Sequence, residues 1–143
     1  MNYGIVENCI VVGFIDSAPN YGNNITRNVC GGIVGDNKGT GTVTGSKFEG
    51  TIIGCFAGGI VGENCGTVTN CQVTGLIDNN GVDFSSTGGV IGVVYSSNGI
   101  DFISVNISGN SFSKSATGQT WGIGEDRRLS TPAPSNDGIT DLP

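Results

Sequence analysis

The sequence predicts an all-β protein: a right-handed parallel β-helix of about four coils, closed by a C-terminal cap and tail. Three observations carry that prediction. A five-residue phrase occurs as Gly31-Gly32-Ile33-Val34-Gly35, Gly58-Gly59-Ile60-Val61-Gly62 and Gly88-Gly89-Val90-Ile91-Gly92, with starts 27 and 30 residues apart. That spacing is about one turn of a solenoid. A second phrase recurs without gaps at residues 6–15, 43–52, 68–77 and 102–111. Within it, Phe48, Gly50 and Ile52 alternate with Glu49 and Thr51, and Val73, Gly75 and Ile77 follow the same rhythm. Period-two alternation marks strands with one buried face, and helical spacing is absent.

Each element follows from the repeat. Shifts of 37, 25 and 34 residues superpose Val6, Val43, Val68 and Phe102, then Cys9, Ser46, Cys71 and Val105, then Val11, Phe48, Val73 and Ile107, and finally Gly13, Gly50, Gly75 and Gly109. Parallel stacking of successive coils turns these sets into columns, with Val6, Val43, Val68 and Phe102 lining the interior. The stretches 16–28, 36–41 and 78–87 are rich in Asn, Asp, Gly and Ser and vary in length, as loops do. In the glycine-pair strand, Ile33, Ile60 and Val90 would face one side and Val34, Val61 and Ile91 the other. Both rows are apolar, so one of them needs cover from the tail or a neighbouring molecule.

The first copy enters in mid-repeat, because Asn2-Tyr3-Gly4-Ile5-Val6-Glu7-Asn8-Cys9 matches Asn64-Cys65-Gly66-Thr67-Val68-Thr69-Asn70-Cys71 with no glycine pair before it. The expectation is the C-terminal part of a longer solenoid, with weak self-association through its open first coil. Residues 1–112 form the repeat domain and 113–143 a cap and tail holding three of the four prolines, with Trp121 placed to cover the end of the core.

Composition narrows the partners. A net charge of −6 disfavours nucleic acid and anionic membranes, and no apolar run is long enough to insert into a bilayer. Five cysteines leave at least one thiol unpaired, and with no histidine and no Cys-x-x-Cys a zinc site is disfavoured. Cys9 and Cys71 sit two coils apart, too far to bridge, whereas Cys30 and Cys55 fall near successive glycine pairs and a disulfide between them is left open.

The glycine-pair phrases at residues 31–35 and 58–62, the latter running on through Glu63-Asn64-Cys65-Gly66-Thr67-Val68-Thr69-Asn70-Cys71, resemble the GLUG-motif repeats of bacterial surface proteins. The likeness covers residues 2 to about 112 and loosens in the fourth copy, where Val93-Val94-Tyr95-Ser96-Ser97 replaces the Asn-Gly stretch. The resemblance implies an extracellular or cell-surface parallel β-helix of the adhesin-like kind. It brings no catalytic motif: the peptidase chemistry found beside such repeats lies in a separate metal-binding domain, and no His-Glu-x-x-His occurs here.

The expected function is therefore a secreted or surface repeat module for adhesion or presentation, binding a host glycan or protein, with no cofactor. The alternative is a β-helical polysaccharide lyase or hydrolase, or its binding portion. That chemistry needs two carboxylates roughly 5–10 Å apart. Asp16, Asp36, Glu63 and Asp78 fall in loops by this reading, with only Arg27, Lys38 and Lys47 as nearby cations, and solvated loop charge is the better account. No catalytic residue is assigned. Asp78, Asn80 and Asp83 are calcium-ligand candidates, although the distal glutamate of a calcium loop is missing and turn chemistry explains the same residues. Paired threonines such as Thr42 with Thr44 and Thr67 with Thr69 resemble a flat hydroxyl array, but Ile5 and Glu7 interrupt it in the first copy and the fourth does not restore it, so ordinary β-branched strand surface is the better account.

Overall fold

A computed structural model describes residues 1–17, 28–79, 86–95, 105–128, 131 and 133–142. The protein is a parallel β-helix. Its first coil comprises β1 (Ile5–Glu7), β2 (Ile10–Asp16), β3 (Val29–Gly31) and β4 (Val34–Asn37); the second comprises β5 (Thr42–Thr44), β6 (Lys47–Ile53), β7 (Phe56–Gly58) and β8 (Val61–Asn64). The third holds β9 (Thr67–Thr69), β10 (Gln72–Val73), β11 (Leu76–Asp78) and β12 (Ile91–Val94), and the fourth β13 (Asn106–Ser108), β14 (Asn110–Phe112), a helical turn α1 (Lys114–Thr117) and β15 (Ile123–Asp126). The chain closes with β16 (Ala133–Ser135) and β17 (Ile139–Asp141).

Three sheets run along the axis, in the orders β1-β5-β9-β13, β11-β6-β10-β14-β17 with β2 on the far side of β6, and β16-β15-β12-β8-β4; β3 and β7 make a short fourth. All pairings are parallel except β15 with β16. The core is the set of inward columns: Val6, Val43, Val68; Val11, Phe48, Val73, Phe112; Ile15, Ile52, Ile77; Val34, Val61, Ile91, Ile123. From the second coil on these side chains are almost wholly buried, each worth roughly 1.5–3 kcal/mol.

The fourth coil sits five residues later than the repeat predicts. Ile107 lies beside Val68 and Phe112 beside Val73, a shift of 39 rather than 34, while Phe102 falls outside the described residues. Asn110, not Val105, stands by Cys71, accepting from its backbone N–H at 2.9 Å. The register is set at the corner after the first sheet, where Asn8, Gly45, Asn70, Gly109 and Gly138 occupy one left-handed column with φ between 54° and 69°. Only glycine and asparagine take that conformation cheaply. They alternate for a reason: a Cβ on Gly45 would lie 2.5 Å from the Asn8 Oδ1, and one on Gly109 would lie 2.4 Å from the Asn70 Oδ1.

The stack also continues past Phe112. β15 adds Ile123 to the third sheet's inner column, and β17 pairs in parallel with β14. What ends the stack is α1, capped by Ser113 and Gly118 where β10 led on to β11, together with the antiparallel β16 on β15. Trp121 covers no core: it is 44% exposed, because it occupies the place of Gly89 in the fourth glycine-pair strand. Nor does either row of that strand need outside cover. The chain bends between β7 and β8, so Ile60 and Val61 both turn into the same core, and the Ile60 carbonyl accepts from Ile33 and Val34 together at 3.1 and 3.0 Å.

A second inner corner is polar. Asn2, Asn37 and Asn64 stack, each donating its amide to the next at 2.9 and 2.8 Å. Asn37 and Asn64 are fully buried and also serve the turn carbonyls of Gly41 and Gly66. Replacing Asn37 with Ala strands partners on both sides, so a loss of about 2 kcal/mol is expected against less than about 1 kcal/mol for Asn2→Ala at the open end. Chemical denaturation of both variants measures this; equal losses would contradict the ladder.

All five cysteines are free thiols. Cys30 registers with Ala57 and points into the main core, whereas Cys55 packs with Phe56 and Val93 in a separate cluster, so no bridge joins them. Burial pushes the Cys30 and Cys71 thiols up, which keeps them protonated and inert.

Candidate functional site

The described residues concentrate paired polar chemistry on the outer face of the third sheet. In β4, β8, β12 and β15 the residue two places after the inner Val34, Val61, Ile91 and Ile123 points outward, giving the column Asp36, Glu63, Val93, Glu125. Around it, Lys38 pairs with Asp36 at 2.5 Å, and the Tyr95 hydroxyl donates to Glu63 at 3.3 Å. Glu125 accepts from Arg127 at 2.9 Å and from the Ser86 hydroxyl at 2.6 Å. The Arg127 guanidinium lies 4.9 Å from the centre of the Tyr95 ring, a cation–π contact. Val93 is buried beneath Tyr95, with Cys55 and Phe56, so the aromatic ring rests on a small apolar cushion outside the main core.

The electrostatics follow from these pairs. The hydrogen bond that Lys38 donates to Asp36 raises its ammonium above the ordinary value, and the one that Arg127 donates to Glu125 does the same for its guanidinium. One Asp36 oxygen, Oδ1, is buried with no partner. Such a ridge offers carboxylate acceptors, ammonium and guanidinium donors and a ring face: the groups that hold hydroxyl-rich or amide-rich ligands. It runs along the axis and does not converge on a point.

The four acidic candidates are in strands, not loops. Asp16 ends β2, Asp36 lies in β4, Glu63 in β8 and Asp78 ends β11. The register brings Asp36 beside Glu63 but keeps Ile53 between Asp16 and Asp78. Lys47 pairs with Glu49, away from the ridge, and Arg27 lies outside the described residues. So do Asn80 and Asp83, leaving Asp78 as the one described member of the calcium set; among the described residues no three Cys, Asp or Glu side chains are grouped to hold a metal ion. The threonine array is two coils deep, with Thr44 and Thr69 joined at 3.0 Å, flanked by Ile5 and Glu7 on one side and Asn106 and Ser108 on the other. Tyr95 and Arg127 were missed by the sequence reading, since neither stands in a repeated phrase.

Below the ridge, Asp126 ends the inner asparagine corner. Its side chain is 1% exposed and is held by Arg128 at 2.6 Å, which also pairs with Asp137, and by the Ser135 hydroxyl at 3.0 Å. Burial pushes this carboxyl up, but the Arg128 hydrogen bonds and charge outweigh it, and the group titrates below its usual range. A depressed folded value means its stabilisation is present above the unfolded carboxyl value of about 4 and is lost as pH falls through the lowered one. Melting temperature should therefore drop on acidification below about pH 4, and Asp126→Asn, less stable at neutral pH, should show a shallower drop. Parallel acid profiles for the two proteins would contradict this.

Comparison with known protein families, characterised proteins and solved structures finds no match to this chain. The class the fold defines is a parallel β-solenoid.

Proposed function

We propose that this chain is a non-catalytic repeat module of an extracellular or bacterial cell-surface protein, serving adhesion or structural presentation by binding a host glycan or protein. The observation that carries the reading is the linear ridge from Asp36 to Arg127, where the pairs Lys38–Asp36, Tyr95–Glu63 and Arg127–Glu125 set carboxylates, cations and an aromatic ring along one outer face. The likeness to GLUG repeats supports the surface setting. A glycan array tests the binding: retained ligands should be lost on Arg127→Ala and Tyr95→Ala, and no retention on glycans or candidate host proteins would sink the reading.

The β4–β8 register favours one alternative, a carbohydrate-active enzyme, because it sets Asp36 and Glu63 on neighbouring strands, about 5 Å apart along the column. Reducing-sugar release from a polysaccharide, abolished by Glu63→Gln, would establish that reading instead.

A further inference from the structure

The segment 133–142 is held differently from the coils before it. The second coil gives the core Val43, Phe48, Ile52, Ile60 and Val61, all fully buried, whereas this segment gives it Ile139 alone. Ile139 seats against Gly122, where a Cβ would lie 2.6 Å from the Ile139 Cγ2. In a solenoid each layer is coupled only to its neighbours, so a layer with one core side chain opens more readily than those stacked above it.

The remaining ties are polar. β17 pairs in parallel with β14, and the Leu142 N–H donates to the Phe112 carbonyl at 2.8 Å. The Asn136 side chain accepts from the Gly122 N–H at 2.7 Å. Lys114 holds Asp141 at 3.3 Å and Arg128 holds Asp137 at 2.8 Å, with both aspartates at the surface, where such pairs add little. One tie is buried: the Ser135 hydroxyl of β16 donates at 3.0 Å to Asp126, which Arg128 also grips. Body and tail thus meet at one carboxylate, whose cation reaches on to the tail as well.

We propose that residues 133–142 are an acid-released strap, leaving as a unit on acidification, with Asp126 as the latch, while the coils through β15 stay folded. Release bares the β14 edge from Asn110 to Phe112 and the apolar seat of Ile139. Although burial pushes the Asp126 carboxyl up, the Arg128 hydrogen bonds hold it below its ordinary range, so its grip is present at neutral pH and is lost as pH falls below about 4. The charges around it are few. Arg128 lies on its own segment, Asp137 stands across the turn before β17, and Glu125 and Arg127 pair with each other on the outer side of β15. β12 sets Val94 beside it, and β16 carries no charged residue.

Trp121, the single tryptophan, precedes Gly122 and so reports on the strap. As the intact chain is titrated from neutral pH to about pH 2, its emission should change at higher pH than far-ultraviolet circular dichroism does. The Asn110, Gly122 and Leu142 amides, which bond across to or from the strap, should lose hydrogen-exchange protection at least about tenfold while those of β6 and β8 keep theirs. Asp126→Asn should give fast exchange at these amides already at neutral pH and no emission step. Ser135→Ala, which leaves the ion pair in place, should move the emission step to higher pH without moving the dichroism step, and serves should the first variant fold poorly. A single coincident transition by all probes, equal loss of protection in β6 and β17, or an emission step unmoved by either variant would overturn the proposal.

Discussion

Val68→Asp is expected to lower the melting temperature of the protein steeply. Val68 is fully buried in the first sheet's inner column, between Val43 and Ile107. A carboxylate there has no cation within the core to pair with, and the penalty is about 4 kcal/mol or more, set against a total stability of about 5–15 kcal/mol for a domain. Thr69, one residue on, faces outward and hydrogen-bonds Thr44, so Thr69→Asp should cost under about 1 kcal/mol. Circular dichroism melts of the pair decide it; similar melting temperatures would mean that the inward and outward faces are reversed.

Gly58→Ala should be nearly as damaging although it adds one methyl group. The new carbon would lie 2.1 Å from the Val61 carbonyl oxygen, 2.6 Å from the Gly92 nitrogen and 2.8 Å from the Ile91 Cα, all backbone atoms of the same or the next coil. Nothing flexible is available to yield, so two coils must separate locally, at a cost of about 3 kcal/mol. Gly31 and Gly88 meet the same obstacles at 2.1 Å, which is why the first glycine of the pair recurs. Gly4→Ala, with its nearest atom 4.0 Å away, is the comparison and should change the denaturation midpoint little. Equal shifts in the two variants would show that close coil contact does not fix these glycines.

The repeat was legible where side chains are packed identically in successive coils. Val43 over Val68, Ile52 over Ile77 and the three glycine pairs all stand where their spacing puts them. The fourth coil was misplaced because Phe102, Ile107 and Phe112 are spaced five apart, as Val68 and Val73 are, so a 34- and a 39-residue shift both put apolar residues in the two columns, and Gly109 matches Gly75 by identity in the first. Backbone conformation broke the tie: Gly109 belongs with Asn70, and the exchange of Asn for Gly at one corner was the signal that identity matching passes over. The continuation through Ile123 was hidden because Trp121 and Gly122 replace the second glycine and the β-branched residue of the phrase. The ridge was half legible. Asp36 and Glu63 stand in repeated positions, but Tyr95 and Arg127 reach them only through the fold.

The corner-to-corner identity of Gly41-Thr42-Val43-Thr44 and Gly66-Thr67-Val68-Thr69 makes the second coil a modular ruler. Residues 42–66 enter and leave at equivalent points of the cross-section with no insertion between them, as the pairing of Thr42 with Thr67 shows. Duplicating that segment in tandem would lengthen the rod by one rung, about 4.8 Å, and leave every other residue's neighbours unchanged except at the new seam. The spacing between whatever the two ends of the rod carry is thereby adjustable in fixed increments, by gene duplication or by design.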